Sequence, residues 1–197
     1  MGYTHYWYRP RIVPKSKFLA IVWDFRKLLP AFEEAGLRLA NWDGGGEPEI
    51  TDQAVNFNGS CHCGHPKDAS IIIPWPEKGA GGVGTAVESK AGTWFAGVTL
   101  QSRTCDGDCS YESFNFPRVI KPRDWEEPKD GKWFVFCKTG FRPYDIAVTA
   151  FLVIAKHHLG KTIIVRSDGE GEHWFDGKML CAMELGYGLE FKLDEGD

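Results

Sequence analysis

The chain has 197 residues, 43% hydrophobic and 14% aromatic, with 8 Trp and 13 Phe. That apolar content sustains one core of ordinary size without disulfide or metal staples, and the aromatic share favours sheet faces over a pure helix bundle. A net charge of −4 gives no reason to expect nucleic acid or an anionic membrane as a partner, although Arg9, Arg11, Lys15 and Lys17 fall close together.

Tyr3, His5 and Trp7 alternate with Thr4, Tyr6 and Tyr8, a period of two that predicts a strand ended by Pro10 and Pro14. Ser16 then reads as the N-cap of a helix whose apolar residues include Phe18, Val22, Leu28 and Leu29. Pro30 predicts a kink or a restart in that helix, and Gly36 its end. Residues 43–46 predict a turn and residues 54–57 a strand that ends on Asn58-Gly59.

Residues 60–92, rich in Gly, Pro and Cys, read as an insertion or long loop. Residues 93–101 and 110–116 predict a strand pair joined through Cys105-Asp106-Gly107-Asp108-Cys109, and residues 133–136 a further strand. Pro143 marks the start of a second helix that runs to about Leu159, where Gly160 stops it. Residues 162–165 predict a strand and Asp168-Gly169 a turn, while residues 179–185 fit a helix or a strand equally. The sum is a single α+β domain over 1–197, a mainly antiparallel twisted sheet packed by two principal helices.

No secretory signal pattern opens the sequence, and the longest mostly apolar run, residues 146–155, is far short of the roughly 20 residues that span a bilayer. The expectation is a cytoplasmic protein with no membrane partner, whose six cysteines are thiols or metal ligands before they are disulfides. No phosphate-binding loop, dinucleotide fingerprint, nucleophile elbow, kinase signature or zinc-protease motif is present.

Three groups of residues carry candidate chemistry. In the first, Lys138, Thr139 and Arg142 lie where a strand end enters a helix N-terminus, whose free N–H groups and partial positive charge suit an anion such as a nucleotide. Pro143, which removes one N–H, and Asp145, which offsets the dipole, count against it, and solvated helix-start residues are the plain alternative. His5 shares a face with Tyr3 and Trp7, an arrangement that stacks a base or sugar or simply packs, and Asn58 is expected on the solvent side of its strand.

The second group lies on and after the second helix. Asp145, Thr149 and Lys156 form a narrow polar stripe that needs hydrogen-bond partners or water. His158 reads as a hydrogen-bonded core histidine, and His157 faces the helix end. Asp145, His157 and Asp168 are the acid or base candidates, with a plain turn as the alternative for Asp168.

In the third group, Cys61, Cys63 and His65 in one loop and Cys105 and Cys109 in another make a C-x-C and C-x3-C set able to hold zinc if the loops meet. Four such ligands leave no open position, so the zinc would be structural. Cys137 and Cys181 read as buried apolar fillers.

The strings MGYTHYWY, FNG at residues 57–59, YESFNFPR at 111–118, FCKTGFRPYD at 136–145 and VRSDG at 165–169 resemble those of a family of small uncharacterised bacterial and phage proteins. The resemblance spreads over most of the chain and implies a shared fold, a shared site and a phage or prophage origin, with no named chemistry. The stretch 60–92 is longer and more cysteine-rich than in that family. Together these readings favour a protein that binds a small anionic molecule near Lys138, Thr139 and Arg142. An enzyme acting on such a ligand, or a protein-binding modulator with an exposed aromatic surface, are the alternatives.

Overall fold

The computed structural model describes residues 3–71 and 103–195, with the backbone of 87–89, 92–95 and 98–100. In chain order the elements are β1 (Thr4–Arg9), α1 (Lys15–Glu34), β2 (Leu39–Ala40), β3 (Glu49–Ile50), β4 (Ala54–Gly59), β5 (Ser70–Ile71), β6 (Val87–Ser89), β7 (Gly92–Phe95) and β8 (Val98–Leu100). There follow β9 (Arg103–Thr104), β10 (Phe114–Pro117), β11 (Trp133–Lys138), α2 (Asp145–Leu159), β12 (Ile164–Ser167) and α3 (Phe175–Leu185). All strand pairs among the described residues are antiparallel, so the α+β class holds. The single sheet of the sequence reading is divided into β11-β1-β12, β10-β4-β2 with β3 also on β4, and two smaller pieces, β5-β9 and β6-β7-β8.

β1 is the central strand of its sheet and alternates strictly, with His5, Trp7 and Arg9 buried between half-buried Thr4, Tyr6 and Tyr8. In register, His5 lies opposite Cys137 on β11 and opposite Ser167 on β12. On the other main sheet Phe114 and Phe116 of β10 pair with Phe57 and Val55 of β4, and the Phe57 and Phe114 rings stack at 4.8 Å.

α2 joins the two halves. Every residue from Asp145 to Ala155 is buried, so the helix runs through the interior with α1 and α3 packed on it. Phe151 meets Phe114, Phe116 and Phe25 of α1 at ring distances of 4.9, 5.0 and 5.2 Å. Such a buried ring contributes about 1.5–3 kcal/mol of transfer free energy.

Three local expectations change and one open alternative is decided. Ser16 is inside α1, whose N-cap is Pro14 without a side-chain bond. Pro30 starts no second helix: α1 runs through it to Glu34, with Pro30 on the exposed side and Leu28 and Phe32 in the core. The described strands within 93–101 do not pair with 110–116: β7 pairs with β6 and β8, and β10 pairs with β4, where its two Phe side chains find an aromatic face. Residues 179–185 belong to α3, which Gly186 closes at φ 78°. Of the stretch read as an insertion, 60–71 is described and holds β5; residues 72–86 and 90–91 lie outside the described residues. No described helix is long and apolar enough to cross a membrane.

Candidate metal centre

The two cysteine segments meet. β5 and β9 pair through Ser70 with Thr104 and Ile71 with Arg103, and the ladder continues past the strands where Cys105 N–H donates to the Ala69 carbonyl at 2.8 Å and Asp68 N–H to the Cys105 carbonyl at 2.8 Å. Gly59 makes the approach on the other side possible, since a Cβ there would run into the Cys109 carbonyl.

This pairing gathers Cys63, His65, Cys105 and Cys109 so that their ligand atoms all lie within 4.8 Å of one another, a group able to hold a metal ion. Cys63 Sγ is 3.5 Å from Cys105 Sγ, and His65 Nδ1 is 3.3 Å from Cys109 Sγ. A tetrahedral ion with metal–sulfur bonds of about 2.3 Å sets its sulfurs about 3.8 Å apart. The spacing therefore fits such a shell with little movement.

The three thiols are buried and His65 is half-buried. Burial pushes the Cys63 thiol up, but the His65 backbone N–H and the Cys109 and Cys105 side chains outweigh it and hold it below the usual thiol range. Burial raises Cys105 and Cys109. These cysteines form a small apolar cluster of their own, with Ala69 packed on it, apart from the main core. Cys61, expected among the ligands, is not in the group: its N–H is held by the Gly44 carbonyl at 2.9 Å, and its Cβ packs on the 43–46 turn beside Gly44.

Two residues before Cys105, the fully buried Arg103 side chain enters a polar centre at the start of α2. Its Nε and Nη2 donate to Asp145 Oδ2 at 3.2 and 3.0 Å, Nη2 also to the His173 carbonyl at 2.7 Å, and Nη1 to Asp176 Oδ2. The other Asp145 oxygen accepts from the Thr139 hydroxyl at 2.6 Å and faces His5 Nε2 at 2.7 Å. His5 Nδ1 lies 2.9 Å from Ser167 Oγ. Burial would raise the Asp145 carboxyl, but His5, Arg103 and Thr139 bring it down to about 2. For Asp176 burial wins over Arg103, and its carboxyl is raised.

The residues expected to bind an anion are engaged separately. Thr139 is buried on Asp145, Arg142 pairs with Asp106 at 3.4 Å, and Lys138 is half-buried, its backbone N–H donating to the Glu112 carboxylate at 3.0 Å. Two surface clefts lie elsewhere, one beside Lys156 and His157 and one beside Leu37 and Arg38, and none of the three residues lines them.

His5 is fully buried and so presents no stacking face, with Trp174 edge-on at 4.8 Å. Asn58 is also buried rather than solvent-facing: its amide exchanges hydrogen bonds with the Tyr111 backbone at 2.8 and 2.9 Å and ties β4 to the cysteine segment.

Asp168 is an exposed turn residue that accepts from Thr4 N–H at 3.0 Å. His157 is exposed and stacks on Tyr187 at 3.6 Å, away from Asp145 in the bonding pattern. His158 bonds Asp24 at 2.8 Å as expected, but it is half-buried at the edge of the core. Of the acid or base candidates, Asp145 is the one in a convergent centre. Its partner Arg103, and Asp176 and Ser167, which join the centre through Arg103 and His5, were not among the sequence candidates, although a carboxylate flanked by Phe175 and Gly177 in an apolar helix is a visible anomaly.

No protein-family model, curated protein or solved structure matches the chain.

Proposed function

We propose that the protein binds one zinc ion through Cys63, His65, Cys105 and Cys109 and uses it as a structural clamp on the strand that delivers Arg103. The observation that carries this reading is the gathering of four soft donors from two separate segments within 4.8 Å. Thiolate and imidazole suit Zn²⁺ over hard cations, and four protein ligands leave no position for a substrate. The cluster also has a need for an ion. Three cysteines and Ala69 make too small an apolar group to hold two loops together by burial alone, the condition under which small folds recruit metals.

With the ion in place, residues 63–65 and 105–109 are fixed to each other, β9 is held on β5, and the guanidinium of Arg103 is set between Asp145 and Asp176. The reading goes with a reducing, cytoplasmic setting in which thiolates persist as ligands.

The test is metal analysis of protein purified under reducing, chelator-free conditions, together with Co²⁺ titration of the metal-free form. About one zinc per chain is expected, with the visible bands of tetrahedral thiolate cobalt. A chain with no bound metal and no such bands is not a zinc protein.

A further inference from the structure

We propose that Ser167, His5 and Asp145 form a nucleophile, base and carboxylate chain, with Ser167 Oγ reacting with carboxylic esters. The proposal is independent of the zinc reading. Ser167 Oγ lies 2.9 Å from His5 Nδ1, and His5 Nε2 lies 2.7 Å from Asp145 Oδ1. Because Nε2 faces a carboxylate, the ring carries its proton there and leaves the Nδ1 lone pair to accept from the Ser167 hydroxyl. That is the direction a general base requires. The two ring nitrogens exchange the roles they have in serine proteases, which leaves the logic of the chain unchanged.

Asp145 is fixed as an anion by Thr139 and by two nitrogens of Arg103, so it can hold the ring and stabilise an imidazolium. His5 and Asp145 have no exposed surface, whereas Ser167 is half-buried. Ser167, the last residue of β12, is the one member of the relay with exposed surface, and its Oγ also accepts from Gly169 N–H at 3.0 Å.

Half-buried Tyr3, Phe141 and His173 pack on one another at ring distances of 4.9–5.8 Å, and Tyr3 meets the His5 ring edge-on at 5.0 Å, which gives the relay an aromatic rim suited to an apolar acyl group. Phe141 is held at φ 58°, a costly conformation for a side chain of that size, with the Arg103 guanidinium 4.7 Å over its ring.

In the step proposed, Ser167 Oγ adds to the ester carbonyl carbon while its proton passes to His5 Nδ1. The acyl–oxygen bond then breaks and the alcohol leaves with that proton. Water follows the same route, releasing the acid and restoring the serine hydroxyl.

A reporter-tagged fluorophosphonate tests the chain on the intact protein, since it forms an Oγ–P bond, loses fluoride and leaves the serine proton on His5. One adduct per chain, mapped to Ser167 by peptide mass spectrometry, is expected. Ser167→Ala should give none, and His5→Gln should label roughly 100-fold more slowly. Thr139→Val, which removes one hydrogen bond from Asp145, should shift the pH midpoint of labelling; an unmoved midpoint takes Asp145 out of the chain. Absence of an adduct at Ser167, or labelling there no faster than in urea-unfolded protein, overturns the proposal. The wild-type peptide map decides this even where a variant fails to fold.

Discussion

Arg103 places Nε and Nη2 on the same oxygen of Asp145, at 3.2 and 3.0 Å, with neither residue exposed to solvent. A charge held this far from water depends on its partners, and removing one of a buried pair costs about 3–5 kcal/mol because the other is left uncompensated. Arg103→Met and Asp145→Asn should each lower the unfolding free energy by about that much, read from urea midpoints at constant slope. The double variant should fall well short of the sum, since neither single loss is independent of the other.

The same centre sets an acid response of two opposite signs. Asp145 titrates in the folded protein at about 2, below the unfolded range near 3.9, so its contribution is fully present above about pH 4 and is lost as pH falls toward 2. Asp176 is raised by burial, so the folded state takes up a proton there before the unfolded chain does, and this group alone makes the protein more stable as pH falls through its folded pKa. Asp176→Asn removes that part. Its stability should be flatter with pH above about 4 than the wild type's, while the fall toward pH 2 remains. A variant with the wild-type slope above pH 4 would show that Asp176 is not the group concerned.

If zinc closes the cysteine cluster, its removal acts through Arg103. Metal at about 1,000 times its Kd adds roughly 4 kcal/mol, which at 2–4 °C per kcal/mol for a chain of this size is on the order of 10 °C in Tm. Chelator treatment and Cys105→Ser should each lower Tm by about that amount, and chelator should then have no further effect on Cys105→Ser. Cys61→Ser, at a cysteine outside the four-ligand group, should bind metal as the wild type does. Equal metal loss from both serine variants would mean that the ligand set is different.

The parts legible in the sequence are those written in local patterns. The alternation from Tyr3 to Tyr8 predicts β1, the mostly apolar run 146–155 predicts a buried helix, and the cysteine and histidine spacing points to the two loops that meet. What was not legible depends on partners far apart in the chain. Asn58 looks like a solvent-side group by alternation, yet is buried because the Tyr111 backbone closes on it, and His5 is held in the interior by Asp145 and Trp174 packing on its face of β1. Arg103 sits 42 residues from Asp145 and 73 from Asp176, so no window of sequence shows that one guanidinium is shared between the two carboxylates. Cys61 joins the ligands by spacing alone and is removed from them by one backbone hydrogen bond to Gly44.

Gly177 marks where α3 comes closest to α2. A Cβ built there would lie 2.6 Å from Thr149 Oγ1 and 2.8 Å from the Ala150 nitrogen, both in a helix with no room to retreat. Ala in place of Gly usually gains about 0.5–1 kcal/mol in a helix interior, so propensity alone predicts a more stable protein. Here the contact is with backbone and with a hydroxyl already bonded to the Ile146 carbonyl at 3.0 Å, and overpacking of this kind costs about 1–3 kcal/mol. The helices would have to separate, drawing Asp176 away from Arg103. Gly177→Ala should therefore destabilise, whereas Gly171→Ala, where an added Cβ meets nothing within 4 Å, should change stability by no more than about 0.5 kcal/mol. Urea unfolding of the two variants side by side separates close packing from helix propensity, and a stabilised Gly177→Ala would mean that α3 is free to move off α2.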